Sequence, residues 1–188
     1  GSAGEIRASG SVGLVDERAL NVNVDGNLNV AAASLLTDQI RAEGDSTLKV
    51  VARGTIGEPE ATGTVDVMNA RAVSDEPNVA AENINAHLNL EGRRIVLTQL
   101  DADVNGGTLK GSGDITLGEG TLSDVNIQLV ANDVAYDAPL DLRSISDSHI
   151  RITKNGDEIL VSGKITIDEA GLTGDVNFDT GLLASMTA

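Results

Sequence analysis

Asn83-Ile84-Asn85-Ala86-His87-Leu88-Asn89-Leu90 decides the fold. In an extended chain Ile84, Ala86, Leu88 and Leu90 share one face, and Asn83, Asn85, His87 and Asn89 share the other. The same period of two recurs in Leu100-Asp101-Ala102-Asp103-Val104-Asn105, in Lys164-Ile165-Thr166-Ile167-Asp168 and in Asp175-Val176-Asn177-Phe178-Asp179. Clean one-sided alternation marks antiparallel strands with one wet face. The fold class is therefore all-β.

The chain also repeats itself. Gly4-Glu5-Ile6-Arg7-Ala8-Ser9-Gly10-Ser11-Val12-Gly13-Leu14 returns as Gly107-Thr108-Leu109-Lys110-Gly111-Ser112-Gly113-Asp114-Ile115-Thr116-Leu117. Gly54-Thr55-Ile56 returns as Gly163-Lys164-Ile165, and Thr62-Gly63-Thr64-Val65-Asp66-Val67 as Thr173-Gly174-Asp175-Val176-Asn177-Phe178. Such repetition without helices predicts a quasi-one-dimensional β structure of two similar units, 4–106 and 107–188, continuous with each other. Residues 1–3 read as an expression scar, so the chain reads as a piece of something longer.

Turn signals punctuate the strands. Parity of the aliphatic residues selects a three-residue hairpin loop at Asp25-Gly26-Asn27, with Val24 opposite Leu28 and Val22 opposite Val30. Glu91-Gly92 and Asn155-Gly156-Asp157 are further turns. Around Ile95-Val96-Leu97-Thr98-Gln99-Leu100 the phase slips by one residue, which predicts a bulge. Ala31-Ala32-Ala33-Ser34-Leu35-Leu36-Thr37-Asp38 is long enough for one or two helical turns and too short to shield a sheet.

Composition narrows the function. Aromatic content is 1%, with one Tyr and one Phe, so Val, Leu, Ile and Ala must do the packing. The formal charge of −16 argues against nucleic acid and against anionic headgroup surfaces, both of which require basic residues. Cysteine is absent, so there is no disulfide framework and no thiolate metal site. No apolar run reaches the ~18 residues of a membrane span.

Motifs for chemistry are weak. His87 and His149 fall on polar strand faces without converging partners, and read as surface residues. Asp101 and Asp103 share a face with Asn105, an arrangement that can hold a cation but more often makes a solvated strand face. Gly111-Ser112-Gly113-Asp114 lacks the final Gly of a dinucleotide fingerprint and has no βαβ context, and Lys110 precedes the glycines, the wrong order for a phosphate loop. Gly106, Gly107, Gly111 and Gly113 read as permissive backbone positions at a bend. No nucleophile elbow or Ser/His/Asp set is present, so no enzyme, cofactor or metal is expected.

The remaining question is what covers the apolar face. Ten to fourteen strands of about five residues give a face on the order of 1,000 Å², well above the few hundred Å² that monomers expose. A two-sheet sandwich, a closed barrel and a sheet curled around a long groove all satisfy that requirement. On pattern alone the sandwich, a structural or adhesive domain with a closed core and no ligand, stands slightly ahead.

The segment Gly54-Thr55-Ile56-Gly57-Glu58-Pro59-Glu60-Ala61-Thr62-Gly63-Thr64-Val65 resembles the G-T-aliphatic-x-x-P-x-x-[ST]-G signature of the TamB family, inner-membrane subunits of the translocation and assembly module in the AsmA-like group. Asn83-Ile84-Asn85-Ala86-His87-Leu88, followed by Val104-Asn105-Gly106-Gly107-Thr108-Leu109-Lys110-Gly111-Ser112-Gly113-Asp114-Ile115, is similar to a second run of that family. The ordered set covers Gly4 to about Phe178. The resemblance implies an elongated curled antiparallel sheet, a β-taco, with an apolar inner groove. It implies a periplasmic body carried by an inner-membrane anchor that this fragment lacks. It implies a role in phospholipid traffic between the two membranes, or in outer-membrane protein assembly beside an Omp85-type barrel (TamA) and nascent outer-membrane proteins. Under it, the aliphatic stripe lines the groove: Val22, Val24, Leu28 and Val30; Val65 and Val67; Ile84, Leu88 and Leu90; Val104; Ile115 and Leu117; Val125 and Ile127; Ile150 and Ile152; Ile165 and Ile167; Val176 and Phe178.

Overall fold

The computed structural model describes residues 4–13, 19–30, 40–74, 78–118, 121–138 and 142–172. They form one antiparallel sheet of ten strands in sequence order: β1 (Ile6–Val12), β2 (Ala19–Asn29), β3 (Ile40–Thr55), β4 (Pro59–Ser74), β5 (Val79–Gly92), β6 (Arg94–Val104), β7 (Gly107–Gly118), β8 (Thr121–Ala138), β9 (Leu142–Asn155) and β10 (Glu158–Leu172). Each strand pairs with its sequence neighbours, and β1 and β10 are the two edges of an open sheet. The boundary expected between residues 106 and 107 falls in the β6–β7 hairpin, inside this continuous sheet.

Strands run from 7 to 18 residues, much longer than the five or so expected from the spacing of turn signals. The difference is clearest at Asp25-Gly26-Asn27. It is not a loop: β2 passes straight through it, with Gly26 paired to Ile6 on one side and Leu48 on the other. The alternation of Val22, Val24 and Leu28 simply continues through Gly26, which occupies an inner-face position without a side chain. A Cβ there would lie 2.1 Å from the Glu5 carbonyl oxygen, so the glycine serves a close strand approach and not a turn.

Two other hairpins follow the sequence signals. Gly92-Arg93 and Gly156-Asp157 are two-residue loops closed by Glu91–Arg94 and Asn155–Glu158 pairs, with Gly92 at φ 70° and Gly156 at φ 61°. Asn105-Gly106, with φ 45° and 85°, closes β6 onto β7, the positive-φ pair that suits the twist of two antiparallel strands. Gly107 and Gly111 lie within β7 and not at a bend. The phase slip at 95–100 is a bulge: Thr98 and Gln99 together stand against the single residue Ser112 between the Leu97–Gly113 and Leu100–Gly111 pairs.

Further bulges break the ladder at 68–70 in β4, opposite Gly44 and Asn85, at Asn83 in β5 and at Asn132-Asp133 in β8. Asn69, Asn83 and Asp133 take φ of 49°, 51° and 55°, a region that Asn and Asp tolerate because their short side chains bond locally. The Asn69 N–H donates to Asn85 Oδ1 at 3.1 Å, Asn83 Nδ2 to Asp103 Oδ2 at 2.6 Å, and the Asp133 N–H to Asp147 Oδ1 at 3.0 Å. Bulges bend a strand and raise its twist. Three of the five buried apolar residues, Ala70, Ala102 and Ala131, are small residues next to these bulged positions or facing them; Val104 and Val125 complete the set.

The expected helical turn at 31–38, the repeat match at 173–178, Leu14 and residues 1–3 lie outside the described residues. Among the described residues no helix is long and apolar enough to cross a membrane.

Candidate functional site

Directly paired residues of antiparallel strands share a face, so the register traces each face across the sheet. One row runs Ile6–Gly26–Leu48–Val65–Leu88–Leu97–Gly113–Ile127–Ile152–Val161, one residue from each strand. The neighbouring row runs Leu28–Ser46–Val67–Ala86–Leu100–Gly111–Leu129–Ile150–Gly163. A third begins Ala8–Val24–Val50–Gly63–Leu90–Ile95–Ile115–Val125. Every position in these rows is aliphatic or glycine, Ser46 excepted. Its hydroxyl donates to the Leu28 carbonyl at 3.1 Å, so no hydrogen-bonding group is stranded in the apolar surface.

This face gathers the sequence candidates Val22, Val24, Leu28, Val65, Val67, Ile84, Leu88, Leu90, Val104, Ile115, Leu117, Val125, Ile127, Ile150, Ile152, Ile165 and Ile167. Val30 follows the last residue of β2, and Val176 and Phe178 lie outside the described residues. Sequence reading missed Ile6, Leu48, Val50, Leu97, Leu100, Leu109 and Leu129 on the same face. Carrying the alternation through Leu48-Lys49-Val50 finds the β3 pair, whereas Leu100 and Leu97 are separated by the bulge that hides their common side.

Burial is graded. Val125 is covered, while most of the face is half-buried and no large side chain is fully buried. Toward β10 cover fails: Ile165 and Ile167 remain 65% and 63% exposed. Ten strands averaging about 13 residues present on the order of 2,000 Å² per face, so the area without full cover exceeds what a monomer ordinarily shows to water. At the β9 end the face changes character, because Ser144, Ser146 and Ser148 stand opposite Tyr136, Val134 and Ala131.

Close approach of neighbouring strands also depends on Gly63 and Gly113 of the apolar face. A Cβ at Gly63, φ 146°, would lie 1.9 Å from the Lys49 carbonyl oxygen, and one at Gly113, φ 155°, would lie 2.2 Å from that of Asn126. Both glycines leave a notch in an otherwise aliphatic row.

The opposite face is polar and charged, with cross-strand couples. Asn27 and Thr47 are hydrogen-bonded at 3.0 Å, Arg71 reaches Glu82 at 2.7 Å and Glu43 at 3.7 Å, and Lys110 is 4.0 Å from Asp101. Arg94 binds Asp114, its Nη2 at 3.2 Å, and that hydrogen bond with the carboxylate charge holds the guanidinium above its ordinary pKa. His87, expected to stand without a partner, pairs with Asp66 across β4–β5 at 2.5 Å. Both side chains are about two-fifths exposed, and among the described residues no third His, Cys, Asp or Glu joins them in a group suited to a metal.

Asp101, Asp103 and Asn105 do not converge on one point. Asp101 accepts from Gln99 Nε2 at 2.6 Å and Asp103 from Asn83. Asn105 leaves the strand face for the turn, where Oδ1 accepts from the Ala80 N–H at 2.8 Å and Nδ2 donates to the Asn78 and Ala135 carbonyls at 3.1 and 3.0 Å. The positive φ of Asn105 breaks the alternation that placed it beside the two aspartates. No group of three or more His, Cys, Asp or Glu side chains suited to a metal occurs among the described residues.

The candidate site is therefore the extended apolar face itself. Compared with family models, curated proteins and solved structures, the chain matches none.

Proposed function

We propose that the chain shields apolar cargo, phospholipid acyl chains above all, by laying it along the inner face of the curled sheet. The observation that carries this reading is the unbroken apolar row from Ile6 to Val161, half-covered and without a second sheet among the described residues. A sandwich with a closed core would bury its large aliphatic side chains fully, and among the described residues none is. Medium-sized aliphatic residues and glycine offer a smooth surface without directional partners, which suits flexible alkyl chains. The bulges in β4, β5, β6 and β8 favour curling of the sheet into a trough around that surface. Covering one acyl chain is worth roughly 10 kcal/mol at ~0.8 kcal/mol per methylene, while the acidic outer face stays in water.

The mechanism is passive, and no bond is made or broken. On the strength of the TamB resemblance, the trough is a length of a periplasmic body anchored in the inner membrane, working toward an Omp85-type barrel and serving lipid traffic, outer-membrane protein assembly or both.

Photo-cross-linkers at Leu88, on the inner face, and at Asn89, on the outer face, test this in the intact protein in cells. Lipid adducts at Leu88 and not at Asn89 are expected. Adducts to nascent outer-membrane proteins at Leu88 would make the face a chaperone surface. No adduct at either position would refute a cargo path through this segment.

A further inference from the structure

We propose that the outer face of β8–β10 binds a soluble phosphate monoester between Arg151 and Lys164. The site lies on the face opposite the apolar rows and does not depend on what those rows carry.

Cations on the outer face follow a rule that Arg151 breaks. Acidic residues outnumber Lys and Arg by 29 to 13, so carboxylate partners are plentiful. Across the ladders Arg7 and Lys49 both face Asp25, Arg53 faces Glu60, Arg71 faces Glu43, Arg94 faces Glu91 and Lys110 faces Asp101. Arg151 stands in β9, a strand with neighbours on both sides. Gln128 faces it from β8 and Ser162 from β10. Asn126, Val130, Leu160 and Lys164 occupy its diagonals, and His149 and Thr153 are its neighbours along the strand. None of these is a carboxylate, and all lie within the described sheet. Lys164 faces His149, so two basic side chains are set directly opposite each other, an arrangement that costs stability when both are charged. The next carboxylate along this face, Asp147, lies beyond His149 and already accepts the Asp133 N–H at 3.0 Å.

The register gathers these side chains into one site. Gln128, Arg151 and Ser162 form one row, and Val130, His149 and Lys164 form the next, about 7 Å away along the strands. All six line a single concavity, with Leu129, Ile150 and Gly163 alternating between the two rows. Long side chains span such a diagonal, so Arg151 and Lys164 can converge on a group lying between the rows. The donor set selects that group. Arg151 offers a flat fork of N–H donors and Lys164 a compact charge, while the Ser162 hydroxyl and the Gln128 amide add neutral donors on either side. A carboxylate has two oxygens and one charge. A phosphate monoester has three free oxygens and nearly two charges, and so uses donors from both rows. The net charge of −16 repels a dense anionic membrane surface, whereas a small ester in the concavity is screened from distant carboxylates beyond about 8 Å at physiological salt.

Amide-resolved NMR of the full chain, titrated with glycerol 3-phosphate at constant ionic strength, tests the proposal. Saturable shifts are expected at Gln128, His149, Arg151, Ser162 and Lys164, with acetate producing none that saturate. Arg151→Gln and, separately, Lys164→Gln should each weaken binding at least about fivefold, whereas Arg53→Gln, at a cation that faces a carboxylate, should leave it within about twofold. Both residues are exposed, so the variants should keep the spectrum of the remaining sheet. Shifts that do not saturate, acetate binding as well as the ester, or Arg151→Gln binding like the unmodified chain would each overturn the proposal. So would binding to vesicles containing phosphatidic acid without binding to glycerol 3-phosphate, which would make the patch a lipid contact.

Discussion

Asn105 is the side chain whose loss should cost the sheet most for its size. It sits at the β6–β7 turn with φ 45°, and its amide ties that turn to Ala80 on the β5 side and Ala135 on the β8 side. Its backbone adds to the tie: its N–H donates to the Ala80 carbonyl, and its carbonyl accepts from the Ala135 N–H at 3.4 Å. Asn105→Ala removes two part-buried hydrogen bonds at about 1 kcal/mol each, plus an exposed third of little weight. It also forces a β-carbon residue with no local hydrogen bond into the left-handed region, for about 1 kcal/mol more. The expected destabilisation is about 3 kcal/mol. With a urea m-value of ~2 kcal/mol/M, that moves the unfolding midpoint down by ~1.5 M. Asn105→Gly separates the contributions, since it loses the amide bonds but accepts the backbone angle, and should cost about 2 kcal/mol. Asn105→Asp keeps the acceptor for Ala80 but turns a carboxylate toward two carbonyl oxygens, and should fall near the glycine variant. Urea unfolding followed by circular dichroism reads all three. A loss below about 0.5 kcal/mol for Asn105→Ala would refute the idea that this amide clamps the sheet.

Gly113→Val should cost about 2–3 kcal/mol, because its Cβ would meet the Asn126 carbonyl at 2.2 Å and must push β7 from β8; hydrogen exchange at the β7–β8 pairs should accelerate. Asp66→Ala should change stability by less than about 1 kcal/mol despite the short contact to His87, because about two-fifths of each partner is open to water that screens the pair; a larger loss by urea unfolding would overturn that. Leu88→Asp, in the middle of the row that crosses all the strands, should reduce displacement of a bound apolar dye by fatty acid at least tenfold, whereas Asn89→Asp on the other face should leave it unchanged.

Period-two alternation made the all-β class, the antiparallel pairing and most of the apolar face legible, because each of those follows from side-chain direction alone. Hairpins at Gly92 and Gly156 were legible for a similar reason: a polar residue followed by glycine in a break between strands has few other uses. Asp25-Gly26-Asn27 carries the same signal and is not a turn. What distinguishes it is contact with both neighbours, since Gly26 faces Ile6 and Leu48 at once, and that information is not local. The bulges were mostly invisible because Asn69, Asn83 and Asp133 are ordinary polar residues at positions where polar residues were expected; only their positive φ marks them. His87 looked solitary for the same reason, its partner Asp66 being supplied by the pairing of β4 with β5.

Register and face selection in this sheet are enforced from the wet side as much as from the apolar side. A slip by one residue would bring Lys49, Asp66 and His87 to the inner face and send Leu48, Val65 and Leu88 into water. The polar couples resist it individually by little: Asp66 with His87 and Arg71 with Glu82 are well exposed to water, and Arg94 is half exposed beside a more covered Asp114. Together they reward only one register, along strands too long to reset locally. That division of labour frees the inner face from any need for specific contacts. Its glycines and medium aliphatic side chains need only be apolar and thin, which is what the proposed shielding of a cargo without detailed recognition would require.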